Sequence, residues 1–231
     1  MKYDILLWDI DDTLLDFPYS EQYAIRHCFS QMGYPVTDFW VKRYGEINLS
    51  YWKRLEKGEV SKGELLRGRF ADLFGEMGLQ GGDPDGFQKL YERALGSVFK
   101  FRDEADRLCT KLKKYCRQYL VTNGVEVTQK SKWEISGLNR IMDGIFISEP
   151  VGFVKPRKEF FDVCFSRIPN FSKERALLIG DSLSSDIKGA NNAGIVSCWY
   201  NPEGKAPEDE ARPDYEIRNL WEVEQIIGIK N

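Results

Sequence analysis

Two acids near the start of the sequence, Asp9 and Asp11, are the first residues whose type and spacing indicate chemistry. They follow directly on an apolar run at residues 5–8, so their carboxylates lie where a buried strand should meet solvent. Two carboxylates separated by one residue repel each other, and a hard divalent cation with oxygen ligands turns that repulsion into affinity. A solvated turn after a strand explains the same pattern, so the rest of the chain has to decide between the two interpretations.

Three later apolar runs are also followed by polar groups, and the groups complement one another. Thr122 and Asn123 follow the second run, Lys155 comes some residues after the third, and Asp181 and Asp186 follow the fourth. Ligands of an open parallel sheet bind beyond the carboxyl ends of its strands, so we expect these side chains to converge on one cleft. A single polar strand end would mean little, because such residues often contact solvent or cap the next helix.

The residue types suit separate roles in phosphoryl transfer. Asp9 emerges straight from the buried strand and is the candidate nucleophile. Asp11 points the same way by strand periodicity and could give a proton to the leaving oxygen and then take one from the attacking water. The hydroxyl of Thr122 and the backbone N–H of Asn123 suit phosphate oxygens, and Lys155 supplies a fixed cation.

The acids after the fourth run fit a magnesium site. Asp181 follows Gly180, which has no side chain to crowd an ion, and it could ligate Mg²⁺ directly. Asp186 could orient Lys155 or a metal-bound water, or it could only cap the next helix. The sequence therefore predicts Mg²⁺ as the cofactor and leaves Asp12 with a structural role.

Hydrophobic periodicity divides the chain into two blocks. In residues 17–99 the apolar residues recur at helical spacing, with Ser61 and Asp83 as predicted N-caps. Later, short apolar strands alternate with amphipathic helices, and the first strand must join their sheet. We predict an α/β protein with a Rossmann-like parallel-sheet core, residues 1–16 and 100–231, and an all-helical cap, residues 17–99. The later strands are predicted at 119–121, 145–147, 177–179, 196–199 and 215–217, and the helices at 103–114, 127–136, 158–167, 185–193 and 220–227.

Composition limits the partners. The 231 residues are 42% hydrophobic and 30% charged, as is typical of a globular protein, and the net charge of −3 argues against nucleic-acid polymers and anionic membranes, which require a basic face. The five cysteines are an odd number without metal-site spacing, so we expect them to be reduced and mostly buried in a cytoplasmic protein. No apolar segment approaches membrane-spanning length. The expected partner is a small phosphorylated metabolite, and the chain is expected to be a monomer or a small homo-oligomer.

Four stretches resemble the four motifs of the haloacid dehalogenase-like hydrolase superfamily in residue type and in order: 9–13, 122–124, 155–156 and 180–186. The resemblance spans almost the whole chain, and it implies a Rossmann-like core with a helical cap inserted after the first motif. It also implies magnesium-dependent phosphatase chemistry through an aspartyl-phosphate on Asp9. In that superfamily the positions of Asp9, Asp181 and the main-chain oxygen of Asp11 hold the metal.

A closer similarity points to a substrate. Three stretches are similar to bacterial nucleotidases that hydrolyse pyrimidine nucleoside monophosphates: 68–70, 146–156 and 198–201. Pro150 departs from that branch, which commonly has an acid at this position. The resemblance implies a 5'-nucleotidase whose cap selects the substrate. Candidates to contact the leaving group are Phe17, Tyr51, Trp52, Arg67, Arg69 and Phe70, although aromatic residues at helical spacing more often form a core.

Other activities remain open from sequence. A 2-haloacid dehalogenase shares the fold and the nucleophile, but it has no use for the second acid, Asp11. A sugar-phosphate phosphatase is a further alternative, and a phosphomutase would normally use a cap acid–base, often a histidine, whereas His27 lies in an amphipathic helix. A non-catalytic binding protein on this fold would be favoured by loss of Asp9 or Asp11, and both are present. A phosphonatase would need a cap lysine, for which the candidates are Lys53, Lys57 and Lys62.

Overall fold

The chain folds into two compact units, which are described separately. The computed structural model describes residues 1–207 and 211–229. The sheet unit consists of Met1–Phe17 and Phe99–Asn231, and the helical unit consists of Pro18–Val98. The predicted fold class, a Rossmann-like parallel sheet with an inserted all-helical domain, is confirmed. The roles of catalytic core and cap, with the predicted borders at residues 16 and 99, stay a prediction.

The elements alternate after residue 99 as the periodicity predicts. The helices are α1 (Phe17–Gln31), α2 (Asp38–Glu56), α3 (Lys62–Glu76), α4 (Pro84–Leu95), α5 (Ala105–Leu112), α6 (Glu126–Ile135), α7 (Ser148–Val151), α8 (Lys158–Arg167), α9 (Lys188–Ala193) and α10 (Val223–Ile227). The strands are β1 (Ile5–Trp8), β2 (Arg117–Thr122), β3 (Gly144–Ile147), β4 (Ala176–Gly180), β5 (Val196–Tyr200) and β6 (Tyr215–Ile217). In the part of the chain that the structure describes, no helix is both long and apolar enough to cross a membrane.

The sheet unit has one parallel sheet with the strand order β3-β2-β1-β4-β5-β6. All six predicted strands are present in it. The chain moves outward from β1 through β2 to β3, and then outward on the other side from β4 through β5 to β6. The direction of winding therefore reverses between β1 and β4, which opens a crevice beyond their carboxyl ends.

The central strand β1 is buried on both faces of the sheet. Leu6 and Trp8 pack into the apolar cluster on one face, and Ile5 and Leu7 pack into the cluster on the other. Burial of each of these side chains contributes about 1.5–3 kcal/mol relative to an exposed position. Helices cover both faces, so the strand reads as a continuous apolar run rather than an alternating one. The residue that follows β1 is consequently held on a rigid base.

Three predicted helices of the sheet unit differ from the structure. The helix predicted at 220–227 is divided into a 3-10 turn at Leu220–Glu222 and α10. The helix predicted at 103–114 begins later, as α5, because Asp103 and Glu104 have φ angles of 45° and 52° in the left-handed region. The helix predicted at 185–193 is divided into a π-helical turn at Leu183–Ile187 and the short α9. Helical periodicity in a sequence does not distinguish a π-helical turn from an α-helical one, so it predicted a single helix where the structure has two elements.

Two helices of the helical unit, α3 and α4, begin where the sequence predicts. The Ser61 side chain accepts a hydrogen bond from the backbone N–H of Glu64 at 3.2 Å, and the Glu64 carboxylate accepts one from the backbone N–H of Ser61 at 2.7 Å. Asp83 accepts a hydrogen bond from the backbone N–H of Gly86 at 2.9 Å. Both predicted N-caps, of α3 and α4, are thereby confirmed, and such caps contribute about 1 kcal/mol each.

Aromatic rings fill the interior of the helical unit. The ring of Phe70 lies 5.2 Å from those of Tyr44 and Tyr91 and 4.9 Å from that of Phe87, measured between centroids. Such pairs contribute about 0.5–1.5 kcal/mol beyond the area that they bury. Phe70 is fully buried, so it is a core residue of this unit.

A charged side chain is buried beside these rings. Arg69 is 2% exposed. Its guanidinium donates hydrogen bonds to the side-chain oxygens of Asn48 at 2.8 Å and Gln88 at 2.7 Å, and it lies about 5 Å from the rings of Phe70 and Tyr91. The charge is therefore bound directly by amides and by aromatic faces, which attract cations. The two amides donate in turn to the carboxylates of Glu21 at 2.7 Å and Glu92 at 2.5 Å.

The two chain segments that lead into and out of the helical unit are joined within the sheet unit. Leu15 and Phe101 form an antiparallel β-bridge, and the backbone N–H of Arg102 donates to the carbonyl of Leu14 at 3.0 Å. The guanidinium of Arg102 also pairs with the carboxylate of Asp12. The segment before α1 and the segment before α5 are therefore fixed side by side.

Candidate active site

The predicted nucleophile and the predicted metal ligand follow neighbouring strands. Asp9 follows β1 directly, and its backbone N–H donates to the carbonyl of Ile179 at 2.9 Å, which extends the ladder between β1 and β4. Asp181 follows β4 directly. Both residues therefore stand at the crevice where the winding of the sheet reverses, the usual ligand position in such folds.

Lys155 is inserted between two of the acids. Its ammonium donates hydrogen bonds to Asp9 Oδ1 at 2.6 Å, to Asp186 Oδ1 at 2.7 Å and to the carbonyl oxygen of Val121 at 2.8 Å. Burial alone would lower the pKa of Lys155, but the charges of Asp186 and Asp9 outweigh it and raise that pKa. The lysine is therefore a permanent cation at the carboxyl end of β1.

Three carboxylates lie close enough to share one cation. Asp9, Asp181 and Asp186 can each offer an oxygen such that these oxygens lie within 4.8 Å of one another. Burial raises the pKa of Asp9 to about 8, with Lys155 opposing the rise and Asp186 adding to it. Burial, together with the charges of Asp9 and Asp186, also raises the pKa of Asp181 well above its usual range. One ammonium does not balance three carboxylates of which two are buried and one is half-buried, and a hard divalent cation bound by oxygens of this cluster would.

The site orients Asp181 from two directions. The hydroxyl of Thr13 donates to Asp181 Oδ1 and accepts from the backbone N–H of Asp181, both at 3.1 Å. The indole N–H of Trp199 donates to the carbonyl oxygen of Asp181 at 2.8 Å. Partners of this kind fix the direction of a metal-binding carboxylate. Both residues lie within stretches that resemble family motifs, but the sequence alone predicts no role for either.

Asp186 lies in the π-helical turn and faces back toward β4. Besides Lys155, it accepts a hydrogen bond from the backbone N–H of Ser182 at 3.2 Å. A Cβ added at Gly180 would lie 2.3 Å from Asp186 Cγ, so only glycine permits this approach. The structure thus places Asp186 against the lysine that it was predicted to orient. Its two oxygens have protein partners.

The stretch after β2 brings Thr122 and Asn123 to the same edge of the sheet. Both residues are buried, and Thr122 Oγ1 accepts a hydrogen bond from the backbone N–H of Gly124 at 3.0 Å. The Asn123 side chain accepts from the backbone N–H of Lys155 at 2.8 Å and donates to its carbonyl oxygen at 2.9 Å. Asn123 therefore fixes the backbone that carries the lysine, and its prediction as a phosphate-binding residue concerns its main-chain N–H.

Asp11 turns toward α6. Its Oδ2 accepts a hydrogen bond from Gln129 Nε2 at 2.5 Å, and its Oδ1 accepts one from Lys132 Nζ at 2.7 Å. Gln129 and Lys132 were not predicted from the sequence, although their spacing of three residues in a predicted helix places both on one face. The side chain of Asp11 therefore has partners of its own, apart from the cluster around Lys155.

Asp12 has a different environment from the acids on either side of it. Its φ is 65°, in the left-handed region that asparagine and aspartate tolerate in turns. Its backbone N–H donates to the carbonyl of Leu15 at 2.8 Å, and its carboxylate pairs with Arg102. These contacts stabilise the turn after Asp11, in keeping with the structural role expected of Asp12.

The residues suggested for the leaving group have varied environments. Arg69 and Phe70 belong to the core of the helical unit, as described above. Tyr51, on α2, donates its hydroxyl hydrogen to Asp72 at 2.8 Å. Phe17 belongs to the sheet unit, with its ring centroid 5.4 Å from Lys132 Nζ. Burial thus explains the first two of these side chains without a ligand.

Comparison with known families and sequences gives a consistent result. A family model described as a hydrolase, haloacid dehalogenase-like hydrolase, matches residues 3–194. The chain is 40% identical over 230 residues to the HAD-hydrolase YfnB of Bacillus subtilis strain 168, which covers 100% of this chain and 97% of YfnB. It is 36% identical to the pyrimidine 5'-nucleotidase PynA of Streptococcus pneumoniae over 96% of this chain and 94% of PynA. It is 26% identical to the pyrimidine 5'-nucleotidase YjjG of Escherichia coli over 98% of this chain and 99% of YjjG.

A solved structure agrees with the sequence comparison. The crystal structure of YfnB bound to magnesium has a TM-score of 0.94 to this chain and covers 99% of it and 100% of YfnB. That structure is described as revealing interdomain movement. The two proteins therefore share one fold along their whole length.

Proposed function

This chain belongs to the haloacid dehalogenase-like hydrolase family, and we propose that it is a magnesium-dependent phosphomonoester hydrolase that acts through an aspartyl-phosphate on Asp9. The observation that carries the proposal is the buried cluster at the carboxyl ends of β1 and β4. There, Asp9 lies among the carboxylates of Asp181 and Asp186 and the ammonium of Lys155. Asp11, the candidate general acid and base, follows two residues later in the chain. A rigid carboxylate nucleophile beside fixed cations suits attack on a phosphoryl group.

Two proton transfers by Asp11 connect the two halves of the reaction. A carboxylate oxygen of Asp9 attacks phosphorus, the bond from phosphorus to the leaving oxygen breaks, and Asp11 gives that oxygen a proton. Water then attacks the aspartyl-phosphate, Asp11 takes a proton from it, and inorganic phosphate leaves with the Asp9 carboxylate restored. Lys155 stabilises negative charge at Asp9, and Thr122 with the backbone N–H of Asn123 binds phosphate oxygens.

The donor set fits magnesium. Carboxylate oxygens of Asp9 and Asp181 would hold it, with the main-chain oxygen of Asp11, as the family resemblance implies. Mg²⁺ prefers oxygen ligands and, when bound, neutralises charge on the phosphoryl oxygens. Thr13 and Trp199 fix the side chain and the main chain of Asp181, which would bind the ion. Asp186 acts indirectly, through the hydrogen bond that it accepts from Lys155.

We further propose pyrimidine nucleoside monophosphates as the substrates. The support is the match over nearly the whole chain to PynA and YjjG, both pyrimidine 5'-nucleotidases, at 36% and 26% identity. The helical unit is the candidate for leaving-group selection, because the family resemblance implies a cap that selects the substrate. Five buried cysteines without disulfides in the described residues support a cytoplasmic location.

A substrate screen tests the proposal. Phosphate release is measured from uridine and thymidine 5'-monophosphates, glucose 6-phosphate and 4-nitrophenyl phosphate, with and without Mg²⁺. We expect magnesium-dependent turnover that is fastest with the two nucleotides. Faster turnover of the sugar phosphate would contradict the nucleotidase assignment and keep the phosphatase one. No turnover of any ester would favour a non-catalytic binding protein.

Replacement of the nucleophile gives the largest expected loss. Asp9→Asn keeps the size of the side chain but removes the attacking charge, so kcat should fall by at least about 10³-fold. The fold should persist, because the substitution removes one carboxylate from a cluster that has too many. Circular dichroism and thermal unfolding serve as controls for folding. A folded variant with substantial activity would exclude Asp9 as the nucleophile.

A further inference from the structure

The carboxylate of Asp11 is held at both oxygens by side chains of a single helix. Gln129 and Lys132 lie three residues apart in α6, and they reach Oδ2 and Oδ1 at 2.5 and 2.7 Å respectively. One donor on each oxygen fixes both the position of a carboxylate and the plane in which it lies. The arrangement is therefore more restrictive than a single ion pair.

Both donors are buried, whereas the acid is not. The side chain of Lys132 is 0% exposed and that of Asp11 is 24% exposed. Gln129 is also buried, and the Lys132 ammonium lies 5.4 Å from the ring centroid of Phe17. Burial of an ammonium is unfavourable unless it has a partner, so Lys132 depends on Asp11 for its counter-charge. The remaining open side of Asp11 is available to a ligand.

The backbone next to Gln129 leaves room for its amide. A Cβ added at Gly124 would lie 2.0 Å from Gln129 Nε2, a distance that no real structure permits. Gly124 ends the stretch 122–124, which was singled out for phosphate binding. Glycine in that turn therefore has a second use, which is to admit the amide that reaches Asp11.

We propose that Lys132 and Gln129 are positioning residues that hold Asp11 where it exchanges a proton with the leaving oxygen. The inference rests on the proposed function, in which Asp11 is the general acid and base. As the bond from Asp9 to phosphorus forms, the bond to the leaving oxygen breaks and the proton of Asp11 moves to that oxygen. Without its two donors the carboxyl group rotates among several orientations and reaches that oxygen less often.

Two aryl esters of similar shape separate proton donation from other effects. The 4-nitrophenolate ion leaves readily without a proton, whereas phenolate is a stronger base and benefits from one. The ratio kcat/KM covers only the steps up to departure of the leaving group, so it excludes hydrolysis of the aspartyl-phosphate. In Lys132→Met we expect kcat/KM to fall at least about tenfold more for phenyl phosphate than for 4-nitrophenyl phosphate.

Two variants and a double variant control for structural damage. Lys130→Met makes the same change on the same helix at a side chain that is 58% exposed and pairs with Glu126, and it should behave like wild type. Gln129→Met should show the selective loss of Lys132→Met to a smaller extent. In an Asp11→Asn background, Lys132→Met should cause no further loss on phenyl phosphate, since it acts through Asp11.

The possible outcomes are distinguishable. Equal losses on both esters, no loss on either, or a further loss in the Asp11→Asn background would overturn the positioning role. A gain on phenyl phosphate would also overturn it, because the two donors would then be holding Asp11 away from the leaving oxygen. If Lys132→Met does not fold, Gln129→Met decides by the same comparison. Absence of turnover by the wild type would refute the phosphatase assignment and the inference together, whereas turnover with equal losses refutes only the inference.

Discussion

A buried cation of the helical unit, Arg69, and a buried cation of the sheet unit, Lys155, have different direct partners. Arg69 of the helical unit donates to the neutral side chains of Asn48 and Gln88 and lies against two aromatic rings. Lys155 of the sheet unit contacts two carboxylates, with a third acid close by. The partners of Arg69 are those of a packed interior, whereas those of Lys155 leave an excess of negative charge. Burial of a charge therefore does not by itself mark a binding site, and a buried excess of like charges does.

The sharpest test of this comparison replaces each cation by methionine. Lys155→Met leaves Asp9 and Asp186 without their cation, so kcat/KM should fall by about 10²- to 10³-fold. In the absence of divalent ions, the free energy of unfolding should fall by about 3 kcal/mol. Arg69→Met should lower it by about 1–3 kcal/mol through its lost hydrogen bonds, with kcat/KM near the wild-type value. Urea denaturation and initial rates measure both. An equal loss of activity in Arg69→Met would place that residue in substrate binding.

A smaller effect is expected when the support of Asp181 is removed. Thr13→Val keeps the shape of the side chain but removes both hydrogen bonds to Asp181, so the Mg²⁺ concentration for half-maximal activity should rise about tenfold. Thr110→Val makes the same change at an exposed position of α5 and should leave the magnesium dependence unchanged. The measurement is a magnesium titration of the rate at saturating substrate. An unchanged titration in Thr13→Val would mean that Asp181 needs no such support.

The last prediction concerns pH. The pKa of Asp9 is raised to about 8, against about 3.9 in an unfolded chain, so between these values the folded protein keeps a proton that the unfolded chain releases. Stability without divalent ions should therefore fall as the pH rises from about 4 to about 8. Mg²⁺ takes the place of that proton, so it should raise Tm more at about pH 8 than at about pH 6. Thermal unfolding of wild type and Asp9→Asn checks this, and a pH-independent shift in wild type would contradict it.

The sequence predicted backbone features of the site better than its side-chain contacts. Apolar runs identified all the strands, and parallel strands expose their carboxyl ends at one edge, so the meeting of Asp9, Lys155 and Asp181 could be inferred. The Rossmann-like sheet and the helical insertion are confirmed. The roles of the site residues remain proposals, each with an experiment above.

Contacts between distant side chains could not be inferred in the same way. Gln129 and Lys132 occupy positions in an amphipathic helix that periodicity assigns to its polar side, and periodicity does not reveal which group they will meet. The reciprocal hydrogen bonds of Thr13 join residues far apart in sequence. Asn123 is predicted to bind phosphate through its main-chain N–H, whereas the contact of its side chain with the backbone of Lys155 was not predicted. Tertiary packing alone determines such pairs.

The bridge between Leu15 and Phe101 affects how readily the inserted segment could be replaced. Because the chain leaves the sheet unit and returns to it at adjacent points, the ends of the inserted segment are already close together. Exchanging that segment for a longer or shorter one adds little loop-closure entropy. Substitution of Pro18–Val98 by the corresponding segment of a relative could then alter substrate preference while the acids and lysine of the sheet unit stay in place. The fold is in this sense modular, with the inserted segment and the sheet unit open to separate redesign.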